Sequence, residues 1–436
     1  MDYLIQPAAI RDADVTVPGD KSVSHRAIIL GGIAEGVTEV RGFLAGEDCL
    51  ATMDAFRKMG VSIERPEPTE LVIGGVGLRG LRPPVSDLDM GNSGTAMRLL
   101  AGVLAGQNFA ATLTGDESLT RRPMQRIITP LSRMGANIGS RDGKPPLEIR
   151  GNPNLEGIDY ALPMASAQVK SAILLAGLYA NGQTTVTEPA VTRDHTERML
   201  RAMGVEVACR EGRIGLEGPA SLKACGIEVP ADLSSAAFVI LAALLADRAD
   251  ILIRGVGVNP TRTGILDILH EMGASISLEN QRRMGEEPVA DIRVRSSKLR
   301  GIDVDPGLVS LAIDEFPVLF IAAAVAQGST RFSGIAELRV KESDRIAAMA
   351  TGLRALGVRV EEFDDGAIVH GGRFAGGDVE SCGDHRIAMS FAVAGTTAAG
   401  PVRIRDVAAV ETSFPGFEGC LSGIGADIVC LQDTSA

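Results

Sequence analysis

The sequence has no excess of basic residues. Its 436 residues carry 43 Lys plus Arg against 55 Asp plus Glu, a formal net charge of −12, and no Lys/Arg cluster is long. Binding driven by counterion release from nucleic acid or an anionic membrane needs a basic face. Both partners are excluded on that ground, and any anion site must be local. Long apolar runs are missing as well. No segment reaches the roughly 18 residues needed to span a bilayer; even FVILAALLA, 238–246, ends at Asp247. The start, MDYLIQPAAIRD, lacks the basic-then-apolar pattern of a secretion signal, so a cytoplasmic location is expected. The six cysteines (Cys49, Cys209, Cys225, Cys382, Cys420, Cys430) include no C-x-x-C pair and no neighbouring His at metal spacing. That favours buried thiols over disulfides or zinc. Tryptophan is absent too, yet 45% hydrophobic and 22% charged residues with 51 glycines describe a compact folded chain.

At this length one ordinary core does not suffice, and two domains are expected. A short signature recurs six times: FRKMGVSI (56–63), LSRMGANI (131–138), LRAMGVEV (200–207), LHEMGASI (269–276), LRALGVRV (353–360) and LSGIGADI (421–428). Each copy reads as the last turn of an amphipathic helix, a glycine in the left-handed conformation, then a short strand. A second series precedes the first. Segments such as KSVSHRAIILGGIA, LSSAAFVILAALLA and DEFPVLFIAAAVA are nearly all apolar after a polar start, as in helices buried on every side. Each of the six is followed by a strand rich in Thr or branched residues: TEVRG (38–42), ATLTG (111–115), TTVTE (184–188), ILIRG (251–255), TRFSG (330–334) and VRIRD (402–406). A further strand is expected near PVSDLDM (84–90). The fold class is therefore α/β, with six repeats of roughly 70 residues shared between two similar domains. The first domain covers 20–229 and the second 1–19 plus 230–436, with a hinge near CGIEVPADL (225–233). The extended start QPAAIRDADVTVPG can pair with either half.

Unusual residues collect at the polar starts of the buried helices. These are Lys21, Ser22, His25 and Arg26; GNSGTAMR (91–98); SAQVK (166–170); AIDEFP (312–317); and GDHR (383–386). Helix N-termini carry unpaired N–H groups and partial positive charge, so several facing one cleft make an anion site even in an acidic protein. GNSGTAMR is neither a Walker A loop nor a dinucleotide fingerprint. In RVKESDRI (339–346), a helix would set Lys341 and Arg345 four residues apart as like charges, unfavourable unless an anion or carboxylate sits between them; a solvated face neutralised by Glu342 and Asp344 is the alternative. TRRP adds Arg121 and Arg122, and TRDHTE adds Arg193 and His195. With Arg386, guanidinium groups recur at corresponding ends of several repeats, suited to phosphate and carboxylate by their planar donors. Asp314, Glu315 and Glu342 supply acids, and cations with two carboxylates meet the needs of proton transfer.

PGDKSVSHRA, GNSGTAMR, RRPM, PMASAQVKSAILLAGL, TRDHTE, IDEFP, RVKESDR and GDHRIAMSF occur in this order along essentially the whole chain. In this the sequence resembles the 5-enolpyruvylshikimate-3-phosphate synthase family, the enolpyruvyl transferases of the shikimate pathway, which makes aromatic amino acids. The resemblance implies two inside-out α/β domains, each of three βαβαββ units, with the active site in the cleft between them. It implies that the 5-hydroxyl of shikimate 3-phosphate attacks C2 of phosphoenolpyruvate while C3 is protonated, and that the tetrahedral intermediate then loses phosphate. Neither metal nor organic cofactor is needed, and a monomer is expected. Lys21, Ser22, Arg26, Ser166, Ala167, Gln168, Arg193, Asp314 and Lys341 are implied as shikimate-3-phosphate ligands. Lys21, Gly94, Arg122, Gln168, Arg345 and Arg386 are implied at phosphoenolpyruvate. Asp314 takes the 5-hydroxyl proton and Glu342 protonates C3, with Lys21 the third catalytic group.

The chain departs from the family's common form at Thr412 in ETSFP, where that form has lysine. It also departs at Glu337, which replaces an asparagine, and in TRDHTE, which lacks a tyrosine; these choices resemble the family's other branch. Gly94 leaves more room beside phosphoenolpyruvate than alanine would, so inhibition by glyphosate is expected. Two alternatives stand beside this reading. UDP-N-acetylglucosamine enolpyruvyl transferase shares fold and chemistry but characteristically carries a reactive cysteine in a loop, and TGDESLTRRPM has none. A catalytically silent anion-binding scaffold is the other, although such a protein has no reason to hold Lys21 and several arginines together.

Overall fold

The computed structural model describes residues 1–432. The chain forms two compact units. One comprises Gly19–Val229 with Met284–Glu287; the other comprises Met1–Pro18, Pro230–Arg283 and Pro288–Ala436. Each has its own apolar core.

Three helices without a polar face fill each core. In the 19–229 unit they are Lys21–Ile33, Gly94–Ala105 and Ala167–Gly177. In the 230–436 unit they are Leu233–Leu245, Phe316–Val325 and His385–Thr396. Their sequences are apolar round the whole circumference, which is stable only where other elements cover every side. Close approach helps: a Cβ on Gly102 would lie 2.3 Å from the carbonyl oxygen of Ala172 on the neighbouring helix, so only glycine fits.

Around the helices stand six sheets among the described residues, one per repeat. In five of the six repeats the strand after the buried helix pairs with the strand that returns after the amphipathic helix, as in Glu35–Arg41 with Glu70–Val76 or Gly182–Thr187 with Arg213–Gly218. In five sheets a parallel edge strand is added. The fifth repeat has three strands, with the isolated bridges Arg300–Gln327 and Asp303–Arg331 at the parallel position. The extended start joins the 230–436 unit. Ala13–Val15 pairs with Asp250–Gly257, and Asp2–Gln6 lies between Val402–Arg405 and Asp427–Leu431.

All six signature glycines turn the chain in the left-handed region: Gly60, Gly135, Gly204, Gly273, Gly357 and Gly425 have φ from +84° to +107°. Each lets a short helix stop and its strand begin without a Cβ clash. Two local expectations change. The strand near 84–90 shrinks to Leu88–Asp89. RVKESDRI is not one helix, because a short 3-10 turn ends at Val340 and the helix starts at Arg345 with Asp344 as its cap. Lys341 and Arg345 are therefore not stacked like charges.

Candidate active site

In the 19–229 unit, side chains at the starts of the three buried helices meet. Asp20, Ser93 and Ser166 each cap a helix by accepting a backbone N–H, which satisfies one of the donors a helix start leaves open. Lys21 and Ser22 open the first helix, and the Lys21 ammonium lies 2.5 Å from Asp48. Arg26 is 3% exposed. Its Nε donates to Thr196 Oγ1 at 2.7 Å, Nη1 to the Ser22 carbonyl at 2.9 Å and Nη2 to Ser171 Oγ at 2.9 Å. All three acceptors are neutral, and burial pulls this guanidinium down to about 10. Beside it, His25 bonds Thr52 through Nδ1 at 2.8 Å and Ser93 through Nε2 at 3.4 Å. Burial above all, then Lys21 and Arg26, pushes the imidazole well below its ordinary value. It is neutral at physiological pH and adds no charge to the cluster.

Gln168 and Gly94 sit across from one another on neighbouring helices. Gln168 accepts from Arg98 Nη1 at 2.5 Å and donates to Thr95 Oγ1 at 2.8 Å. A Cβ on Gly94 would come within 2.9 Å of Arg98 Nη1 and 3.2 Å of Arg122 Nη1, so this glycine borders two guanidinium groups. Arg122 is buried and donates to Asn92 and to Ser118. Arg121 is exposed and paired with Glu117 on its own short helix, which separates the two arginines of the pair. Ser166, Ala167 and the half-buried Arg193 complete the set, Arg193 just ahead of the helix His195–Ala202. His195 instead bonds Glu287 at 2.8 Å.

The 230–436 unit assembles the acids. Asp314 lies 3.7 Å from Arg345 and 3.7 Å from Arg386. Arg345, 1% exposed, binds Asp384 at 2.8 Å and Glu342 at 2.6 Å. Burial opposes its charge, but Asp384, Glu342 and Asp314 outweigh that and hold its pKa above the usual value. Burial lowers the Lys341 ammonium, against the pull of Asp314 and Glu337; Glu337 lies 3.6 Å away. Arg386 donates to the Asp314 carbonyl at 3.0 Å and approaches the buried Glu315 at 3.8 Å. Thr412 is buried, and its hydroxyl bonds the Ala409 carbonyl within its own turn.

Several partners escape a reading of the sequence. Asp48 stands 27 positions from Lys21, with no local pattern to link them. Arg98 lies inside GNSGTAMR, where its distance from the helix start hides its bond to Gln168. Asp384 was legible: an aspartate just before a helix signals a cap, and here it accepts from Arg386 N and also holds Arg345. Among the described residues, no group of three His, Cys, Asp or Glu could hold a metal ion, and no helix is long and apolar enough to cross a membrane.

The chain matches the family model for EPSP synthase (3-phosphoshikimate 1-carboxyvinyltransferase) over residues 5–421. It is 61% identical over 415 residues to a 3-phosphoshikimate 1-carboxyvinyltransferase of Acidithiobacillus ferrooxidans, covering 95% of this chain and 96% of that one. It is 56% identical over 417 residues to the protein so named from Legionella pneumophila, with 96% of each covered. A solved EPSP synthase from Acinetobacter baumannii superposes with a TM-score of 0.87 at 52% identity, covering 99% of this chain and 100% of that one. With motifs, fold and relatives in agreement, the chain belongs to the EPSP synthase family.

Proposed function

We propose that the side chains gathered at these helix starts carry out the family's reaction, transfer of the enolpyruvyl group of phosphoenolpyruvate to the 5-hydroxyl of shikimate 3-phosphate with release of phosphate. The observation that carries the residue assignment is Arg26, a buried guanidinium whose three bonds all go to neutral oxygens. Its charge is left for an anion. Lys21, Ser22, Arg26, Ser166, Ala167, Gln168 and Arg193 hold shikimate 3-phosphate, joined by Asp314 and Lys341. Gly94, Arg122, Gln168, Arg345 and Arg386 hold phosphoenolpyruvate, with Lys21 reaching both.

Asp314 accepts the 5-hydroxyl proton as the oxygen bonds to C2, and Glu342 delivers a proton to C3. Arg345 binds Glu342 directly at 2.6 Å. An incoming phosphoenolpyruvate carboxylate that draws Arg345 toward itself weakens that pairing, and Glu342 can then take up the proton it delivers. Glu342 takes back a proton from the new methyl group as the C2–O bond to phosphate breaks, and phosphate leaves with the proton that Asp314 took up. Fixed cations stabilise the charge that grows on the intermediate's oxygens. Every group named is carried by one chain, so a monomer suffices, and the acidic composition fits a cytoplasmic enzyme. Thr412 receives no role, since its hydroxyl serves its own turn.

Equilibrium binding tests the assignment. Arg193→Ala is expected to weaken shikimate 3-phosphate binding at least about tenfold, the scale of one lost charged hydrogen bond, whereas Arg122→Ala leaves it unchanged and raises the KM for phosphoenolpyruvate. The reverse pattern refutes the division of ligands.

A further inference from the structure

We infer that Ser171 and Thr196 are positioning residues for Arg26, a pair of hydroxyls that fixes the guanidinium while leaving its charge to the bound anion. The inference rests on Arg26 being a shikimate-3-phosphate ligand. A buried arginine ordinarily meets a carboxylate. Arg26 does not: among the described residues no carboxylate lies at ion-pair distance, and Thr196 Oγ1 and Ser171 Oγ accept from Nε and Nη2. The two hydroxyl oxygens are 2.7 Å apart, so one hydroxyl donates to the other while both accept from the guanidinium. Each has two acceptor sites and one proton, which allows this closed triangle. Ser171 and Thr196 are 0% and 1% exposed, so water does not compete for these bonds.

An acid able to cancel the charge stands next in sequence. Glu197 follows Thr196 and is buried, yet its Oε1 lies 2.7 Å from Lys170, the residue before Ser171. Lys170 also holds Glu188 at 3.1 Å. Adjacent positions on two helices are thereby sorted, 170 with 197 and 171 with 196. Lys170 draws Glu197 and Glu188 to itself, and the hydroxyl pair is left for Arg26. A carboxylate at 196 would hold the guanidinium equally well but would neutralise it. An aliphatic side chain there would leave a buried N–H without an acceptor and the fork free to turn.

The test is steady-state kinetics of the full-length protein, each substrate varied in turn, for Thr196→Val, Ser171→Ala, Thr196→Ser and the control Arg26→Ala. Thr196→Val and Ser171→Ala are expected to raise the KM for shikimate 3-phosphate roughly tenfold, as for loss of one hydrogen bond to a charged group. The KM for phosphoenolpyruvate should stay within about twofold, and Thr196→Ser should restore the parent value because it keeps the hydroxyl. Ser171→Ala removes a single atom and keeps the test decisive if the valine variant misfolds. If Arg26→Ala raises the KM for shikimate 3-phosphate but the hydroxyl variants do not, the positioning role is overturned and the ligand reading stands. If Arg26→Ala itself has no effect, both fall.

Discussion

Gly94 shows how much rests on one hydrogen atom. Its missing Cβ is what lets the ends of Arg98 and Arg122 come so near, and a methyl group there would displace one or both. Gly94→Ala is therefore expected to raise the KM for phosphoenolpyruvate by about tenfold through misplaced clamps and to weaken glyphosate inhibition further. Inhibition by glyphosate that is unchanged in the variant would contradict the steric argument. The acids follow a different logic. Asp314→Asn and Glu342→Gln keep size and lose proton transfer, so kcat should fall by roughly 10²- to 10⁴-fold with the melting temperature nearly preserved. A drop of less than threefold in either variant would remove that residue from the proton path.

At the scale of the element, the recurring device is a buried helix whose capped start presents polar groups to its neighbours. Lys170 with Glu188 and Glu197 ties the helix Ala167–Gly177 to the segment that carries Arg193. Lys170→Met leaves two buried carboxylates without their cation and should cost about 3 to 5 kcal/mol, read from urea unfolding; a loss below 1 kcal/mol would show the cluster relaxing into solvent. His25 ties Lys21–Ile33 to Thr52 and to Ser93. Its folded pKa is depressed, so in acid the unfolded chain binds a proton that the folded chain refuses. Stability from this group is fully present above about pH 6.5 and declines as pH falls below it. The fall in melting temperature between pH 7 and pH 5 should accordingly be smaller in His25→Gln than in the parent, and equal slopes would refute the assignment. Much of this scale was legible in advance, because a left-handed glycine, an apolar run and a capping side chain are local requirements. The break before Arg345 was not. Nothing in RVKESDRI forbids a helix, and the chain departs from one because Glu342 and Asp384 both take Arg345 while Asp344 caps.

For the molecule as a whole, a chain of net charge −12 is proposed to serve two anionic substrates by placing a few cations, such as Lys21, Arg345 and Arg386, at helix starts. The order of motifs made the reaction class legible. The pairing of distant groups, such as Lys21 with Asp48 or Arg98 with Gln168, depends on packing between repeats and has no trace in local pattern. The central claim is that these groups transfer enolpyruvyl to shikimate 3-phosphate. The most direct measurement is phosphate release from phosphoenolpyruvate by the purified protein, with shikimate 3-phosphate in one reaction, UDP-N-acetylglucosamine in another, and chelator in both. The account predicts release with shikimate 3-phosphate alone; release only with the sugar nucleotide, or with neither, would contradict it.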